Sequence, residues 1–234
     1  MNSRKKSTCP KDTEAGPQKG RVWFTMPSTD PANPSVRGIL DLDEAPDGKG
    51  LIITGGVWGL TPGYHGMHVH AYGDAPTSEG GCEATCQHFD GRPSHDQNHG
   101  DLNARVSHLG DLGNILADGN GVAPVAIHAA RLTLSSDSRT AVLGRSIVVH
   151  ADQDDLGRGE PRSESLKNGN SGARIACGSI VLRNPNTPSA HQWIINFAKN
   201  INSAVGFTEN GHPISSNERS GLASAPGPRP VVFF

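Results

Sequence analysis

The 234-residue sequence predicts an all-β domain, an antiparallel sandwich or barrel of about eight short strands interrupted by two long loops. Three observations carry this expectation. Glycine (29) and proline (17) are abundant, which suits frequent turns better than long helices. Aromatic residues make up only 5% of the chain, so the core must come from Val, Ile, Leu and Ala. Short apolar or alternating runs recur between turn signals along most of the length.

In order, the runs are 21–26, 36–42, 51–58, 66–70, 113–117, 123–134, 141–149 and 176–182. Asp47-Gly48, Asp118-Gly119 and Asn120-Gly121 are turn dipeptides between them. Two stretches, 71–111 and 151–175, do not read as strands. Loops that long are uncommon unless they bind or catalyse, and each starts directly after a histidine, His70 or His150. Composition divides the chain into a basic arm at 1–19, a strand-rich region at 20–184 and a distinct tail at 185–234. Within the tail, Trp193, Ile194, Phe197, Ala198, Ile201, Ala204 and Val205 fall at helical spacing. Residues 190–207 therefore read as an amphipathic helix that docks on its own domain or on a partner.

The formal net charge of −2 points to neither nucleic acid nor an acidic membrane as a partner. No apolar run is long enough to suggest a transmembrane helix. No apolar stretch follows the basic N-terminal residues, so the expected residence is cytoplasmic.

The strongest local signal is Gly66-Met67-His68-Val69-His70. Residues two apart on a strand share a face, so His68 and His70 present adjacent imidazoles, a pair that suits copper or zinc. His65 falls on the opposite face by the same count and reads as a structural, hydrogen-bonded histidine. The first long loop adds His88, His95, His99, His108 and Asp111, and His150 ends another run. His108-x-x-Asp111 supplies nitrogen and carboxylate in one turn, a combination suited to zinc. Asp154 is placed to accept N–H groups from metal-bound imidazoles and fix their tautomers.

These residues sit in longer motifs: GYHGMHVHAYGD, HLGDLGN, SIVVHADQDDLGRG and NGNSGARIACG. Together they resemble the eukaryotic copper/zinc superoxide dismutases over nearly all of 20–184. The resemblance implies an eight-stranded Greek-key β-barrel and dismutation of superoxide at a copper and a zinc sharing one imidazole. His68, His70, His88 and His150 match the copper ligands. His88, His99, His108 and Asp111 match the zinc ligands, with His88 as the bridge, and Asp154 matches the aspartate linking ligands of the two metals. The segment from His88 to His99 is longer than the family's usual spacing, so His95 competes for the zinc position; His99 is favoured because it precedes Gly100 and keeps the step to His108. Asn168 stands where the family often has threonine.

Dismutation needs a metal that cycles by one electron, which zinc cannot do. By the resemblance, His88 carries a proton when it leaves copper, while zinc keeps its ring oriented. Region 20–184 has 13 Lys plus Arg against 19 Asp plus Glu, a net of −6, so attraction of a small anion must be local. Arg174 matches the channel arginine and offers a planar fork of donors, with Lys167 as a second steering charge. The resemblance also pairs Cys82 with Cys177 in a disulfide, leaving Cys86 as a free thiol beside it and Cys9 free. Homodimerisation and loading by a copper chaperone are further expectations. A non-catalytic metal-binding scaffold and a copper chaperone are the competing functions. The first should have lost a donor or the arginine, and the second should carry cysteine pairs that are missing from this sequence.

Overall fold

Nine strands form two antiparallel sheets in the computed structural model, which describes residues 17–25, 35–73, 82–92 and 98–192. The chain divides into two units, Met1–His191 and Gln192–Phe234; nearly all of the second lies outside the described residues. The five-stranded sheet runs β6-β3-β2-β1-β9, from β1 (Lys19–Thr25), β2 (Arg37–Glu44), β3 (Leu51–Trp58), β6 (Val122–Ala129) and β9 (Val181–Leu182). The four-stranded sheet runs β5-β4-β7-β8, from β4 (Gly63–His70), β5 (Asp111–Ala117), β7 (Ser146–His150) and β8 (Arg174–Ser179). β3 pairs with β6 although β4 and β5 lie between them in sequence and belong to the other sheet, a Greek-key crossing.

Side-chain alternation explains which face each strand buries. In β1, Val22 and Phe24 turn into the core while Trp23 between them stays 41% exposed. β6 alternates in the same way, burying Ala123 and Val125 and exposing Val122. β7 is different: Ser146-Ile-Val-Val-His150 is buried throughout, because it lies between β4 and β8 and is covered on both faces. Ile147 and Val149 enter the main core, whereas Val148 packs with Cys82 and Cys177.

The expected elements hold with shifted edges. The run at 176–182 is divided between β8 and β9, and 123–134 ends as a strand at Ala129. The second long loop also contains an unexpected helix, α1 (Arg162–Asn168), closed by Gly169 in the left-handed conformation. The amphipathic segment expected at 190–207 begins helically at 190–192; the remainder lies outside the described residues, as do His95 and Cys9. Among the described residues, no helix is long and apolar enough to cross a membrane.

Beyond β9 the chain is tied to the outer face of the five-stranded sheet. Arg21 Nε and Nη2 donate to the two carboxylate oxygens of Asp41 at 2.7 and 3.1 Å, and Nη2 also donates to the Pro188 carbonyl. The Ala190 N–H donates to Asp41 Oδ2 at 2.7 Å, and Arg183 Nε lies 3.4 Å from Asp41 Oδ1. Asp41 is thus a buried anchor for three segments of chain.

Candidate metal centre

The cluster of histidines is assembled by strand pairing. His68 and His70 lie on β4 beside β7, and His150 ends β7. An isolated antiparallel bridge between His70 and His88 draws the first long loop back along β4. The Phe89 N–H donates to the Val69 carbonyl and the Gly110 N–H to the Phe89 carbonyl, so the loop lies in register rather than loosely over the sheet.

Two four-residue groups result. His68, His70, His88 and His150 each offer a ring nitrogen, and these atoms lie within 4.8 Å of one another. His88, His99, His108 and Asp111 form a second group by the same measure, with His88 common to both. His99 is therefore in the cluster. His65 is in neither group: its buried ring donates from Nδ1 to the His150 carbonyl at 2.8 Å, with Nε2 2.8 Å from the Thr61 carbonyl.

The ring orientations fit metal ions. His68 donates from Nε2 to Asp154 at 3.0 Å, His70 from Nδ1 to the Cys86 carbonyl at 2.7 Å, and His150 from Nδ1 to the Gly172 carbonyl at 3.2 Å. The opposite nitrogens, His68 Nδ1, His70 Nε2 and His150 Nε2, are buried and have no hydrogen-bond partner. Orphaned buried nitrogens are costly in an apolar setting and natural where a cation binds. In the second group, the Nδ1 atoms of His88, His99 and His108 lie 3.0, 3.0 and 3.3 Å from Asp111 Oδ1. Three nitrogens and a carboxylate around one point match a tetrahedral zinc donor set.

Electrostatics agree with this chemistry at the first group, while in the second a metal would have to displace a proton held on His99. Burial, reinforced by neighbouring histidines, holds His68 and His70 well below the ordinary imidazole range and lowers His150 to about 4. Burial likewise lowers His88 against the opposing pull of Asp111. These rings are neutral near pH 7, with lone pairs available. His99 is also opposed by burial, but hydrogen bonds to Asp111 and Asp154 outweigh it and raise it to about 9. Burial would raise Asp111, yet hydrogen bonds from His108, His88 and His99 hold it well below the usual carboxylate range.

Asp154 joins the two groups. One oxygen accepts from His68, and the other accepts from His99 Nε2 at 2.7 Å. Asn114 clasps its backbone from both sides, donating to the Asp154 carbonyl and accepting the Asp154 N–H, each at 2.8 Å. Gly169 makes room: a Cβ there would come within 2.1 Å of Asp154 Oδ1 and 2.6 Å of His99 Nε2. Replacing Asp154 with asparagine is expected to weaken metal binding about 10- to 100-fold, checked by competition against a chelator.

A cleft of about 310 Å³ opens over the first group, lined by His70, His88, His150, Lys167, Asn168 and Arg174. Strand register sets Arg174 directly opposite His150. Its guanidinium donates from Nη1 to the Cys82 carbonyl at 2.9 Å and to Thr85 Oγ1 at 3.2 Å, and from Nη2 to the Cys86 carbonyl at 2.6 Å. Lys167 is more loosely held, 3.9 Å from Glu164.

The loop carrying these carbonyls is pinned by a disulfide between Cys82 and Cys177, 95 residues apart. Closing a loop of that size contributes about 4.7 kcal/mol in the chain-entropy model. Cys86 is free and exposed. Its carbonyl is a feature that residue types alone do not reveal, since it accepts from both His70 and Arg174. To aim it, Cys86 adopts φ 59°, ψ −143°, a conformation that suits glycine. Cys86→Gly should relieve strain of order 1–3 kcal/mol at a chain-entropy cost of about 0.5–1. The expected net is a rise in melting temperature, read by thermal unfolding of the oxidised protein.

Known proteins resemble this chain over its strand-rich region. The copper/zinc superoxide dismutase family model matches residues 36–180. A superoxide dismutase (Cu-Zn) of Onchocerca volvulus is 43% identical over 150 residues, covering 63% of this chain and 90% of that protein. An extracellular superoxide dismutase (Cu-Zn) of the same organism is 46% identical over 149 residues, covering 63% and 70%. Superoxide dismutase (Cu-Zn) 3 of Arabidopsis thaliana is 42% identical over 149 residues, covering 64% and 85%. Among solved structures, that of the clock protein EA4 aligns with a TM-score of 0.61 at 34% identity, covering 71% of this chain and 96% of that one. With two donor groups sharing His88 and a family match spanning both, this chain belongs to the copper/zinc superoxide dismutase family.

Proposed function

We propose that 20–184 is the catalytic domain of a working superoxide dismutase, flanked by an arm at 1–19 and a tail at 185–234. In it His68, His70, His88 and His150 hold copper, and His88, His99, His108 and Asp111 hold zinc. The observation that carries this reading is the set of three buried nitrogens, on His68, His70 and His150, left without partners around one point. Copper, when bound, supplies the one-electron cycling by which two superoxide ions and two protons become dioxygen and hydrogen peroxide.

The chain's own residues do the rest. Arg174 faces the cleft with its guanidinium fixed by backbone carbonyls, so the anion meets a preset charge rather than a mobile one. Lys167 adds longer-range attraction at the rim. His88 has Nδ1 on the Asp111 side, so its Nε2 is the atom that holds the proton destined for peroxide. Asp154 and the Cys86 and Gly172 carbonyls keep His68, His70 and His150 in one tautomer. A scaffold role is disfavoured because every matched donor and Arg174 are present, and a chaperone role because the sequence lacks the cysteine pairs that would carry copper. Measuring bound copper and zinc alongside superoxide consumption tests the proposal. A protein that takes up both metals and does not accelerate dismutation overturns it.

The proposal extends to assembly and setting. Trp23 and Val181 are exposed on the same side of the adjacent strands β1 and β9, which supports a homodimer through that face. Trp23→Glu is expected to yield a monomer by sedimentation. Cys82 and Cys177 are both buried, so bridge closure must occur while the loop is open, which supports assistance by a copper chaperone. The exposed thiol of Cys86 supports a reducing, cytoplasmic residence, to be checked by cell fractionation.

A further inference from the structure

We propose that a second cleft, between the end of β4 and the loop leading into β7, is an anion site distinct from the Arg174 channel. Its ligand is a phosphate-class oxyanion. The cleft has a volume of about 450 Å³, and its walls carry Arg92, Arg139 and Arg145 against one carboxylate, Asp90. In a region whose net charge is −6, a pocket with two uncompensated positive charges is a local reversal of sign.

Two of the three guanidiniums are fixed in advance. Arg145 lies 3.6 Å over the Phe89 ring and donates from Nε to the Ala141 carbonyl at 2.8 Å and from Nη1 to the Ala71 carbonyl at 2.7 Å. Those bonds spend its donors on neutral oxygens and leave Nη2 over. Among the described residues no carboxylate pairs with Arg145, and burial lowers its pKa. Arg92 donates from Nε to Asp90 at 2.6 Å and from Nη2 to the Ser107 carbonyl, leaving Nη1. Arg139 is exposed, and among the described residues its side chain makes no hydrogen bond or ion pair. A small oxyanion would accept from the two fixed guanidiniums and draw in the third at little ordering cost. Ala71, Tyr72 and Phe89 leave apolar wall beside the charges, so an organic substituent on the phosphate is accommodated.

The site would also communicate with the channel, because Gln87 and His88 line both clefts. A bound anion would place negative charge beside the channel wall and slow the arrival of superoxide. The binding itself does not depend on the dismutase reading.

Inorganic phosphate, titrated calorimetrically into the copper- and zinc-loaded full chain at low ionic strength, tests this directly. Arg174→Gln is expected to keep one phosphate-binding event, and adding Arg139→Gln to that variant should weaken it about tenfold, with Arg139→Lys restoring part. Arg139 touches neither donor group, so metal content and melting temperature should stay unchanged. Loss of all phosphate binding in Arg174→Gln would show that the channel is the only anion site and overturn the proposal. So would phosphate binding that is indifferent to both Arg139→Gln and Arg92→Gln.

Discussion

Arg174→Ala is expected to lower kcat/KM for superoxide on the order of 10- to 100-fold at low salt while bound copper and zinc stay near stoichiometric. Strand register sets Arg174 opposite His150, and its guanidinium contacts are to carbonyls, a hydroxyl and the Glu83 carboxylate 3.8 Å away, none of them a metal donor. Its loss therefore removes attraction and orientation without removing a ligand. Two further readouts separate this from a general loosening of the loop. The salt dependence of the wild-type rate should flatten in the variant, because screening acts on a charge that is no longer there. Arg174→Lys should recover only part of the rate, since an ammonium keeps the charge but lacks the planar fork. Full activity of the alanine variant at low salt would remove the channel from the mechanism.

The second large effect is on stability and lies away from the metals. Asp41→Asn is expected to cost about 3 kcal/mol, a drop in melting temperature of roughly 10 °C for a domain of this size. The carboxylate is 1% exposed and answers Arg21, Arg183 and the Ala190 N–H at once. An amide of the same shape keeps one acceptor but no charge, leaving Arg21 buried with an unpaired positive charge. The outer face of the five-stranded sheet should then release the segment after β9, and limited proteolysis between 183 and 191 should accelerate. A melting temperature within two or three degrees of wild type would mean that water already compensates the arginines.

How much of this was legible beforehand varied with the kind of signal. His68 and His70 declared themselves by strand parity, and His150 by ending an apolar run, because side-chain direction on a strand is set by count alone. The choice of His99 over His95 needed the family spacing, since periodicity carries no information inside an irregular loop. α1 was invisible to hydrophobic pattern: its seven residues bury only Ser165, so no apolar stripe exists to detect. Its boundaries were written in Pro161 and Gly169, a start and stop signal too short to stand alone. Asn114 reads in sequence as one more residue of a strand, and its clasp on Asp154 appears only once β5 and the second loop are brought together. The carbonyl partners of His70, His150 and Arg174 could not be read at all, because every residue has a carbonyl and only the fold decides where it points.

The Cys86 carbonyl oxygen has one further consequence. It is a shared mount: the same atom steadies a ring on the metal side and the guanidinium on the solvent side. Substitutions within 82–87 that tilt this peptide will disturb both together. In a library of such variants, copper retention and turnover should therefore move in parallel, and natural drift in this segment has one adjustable quantity rather than two.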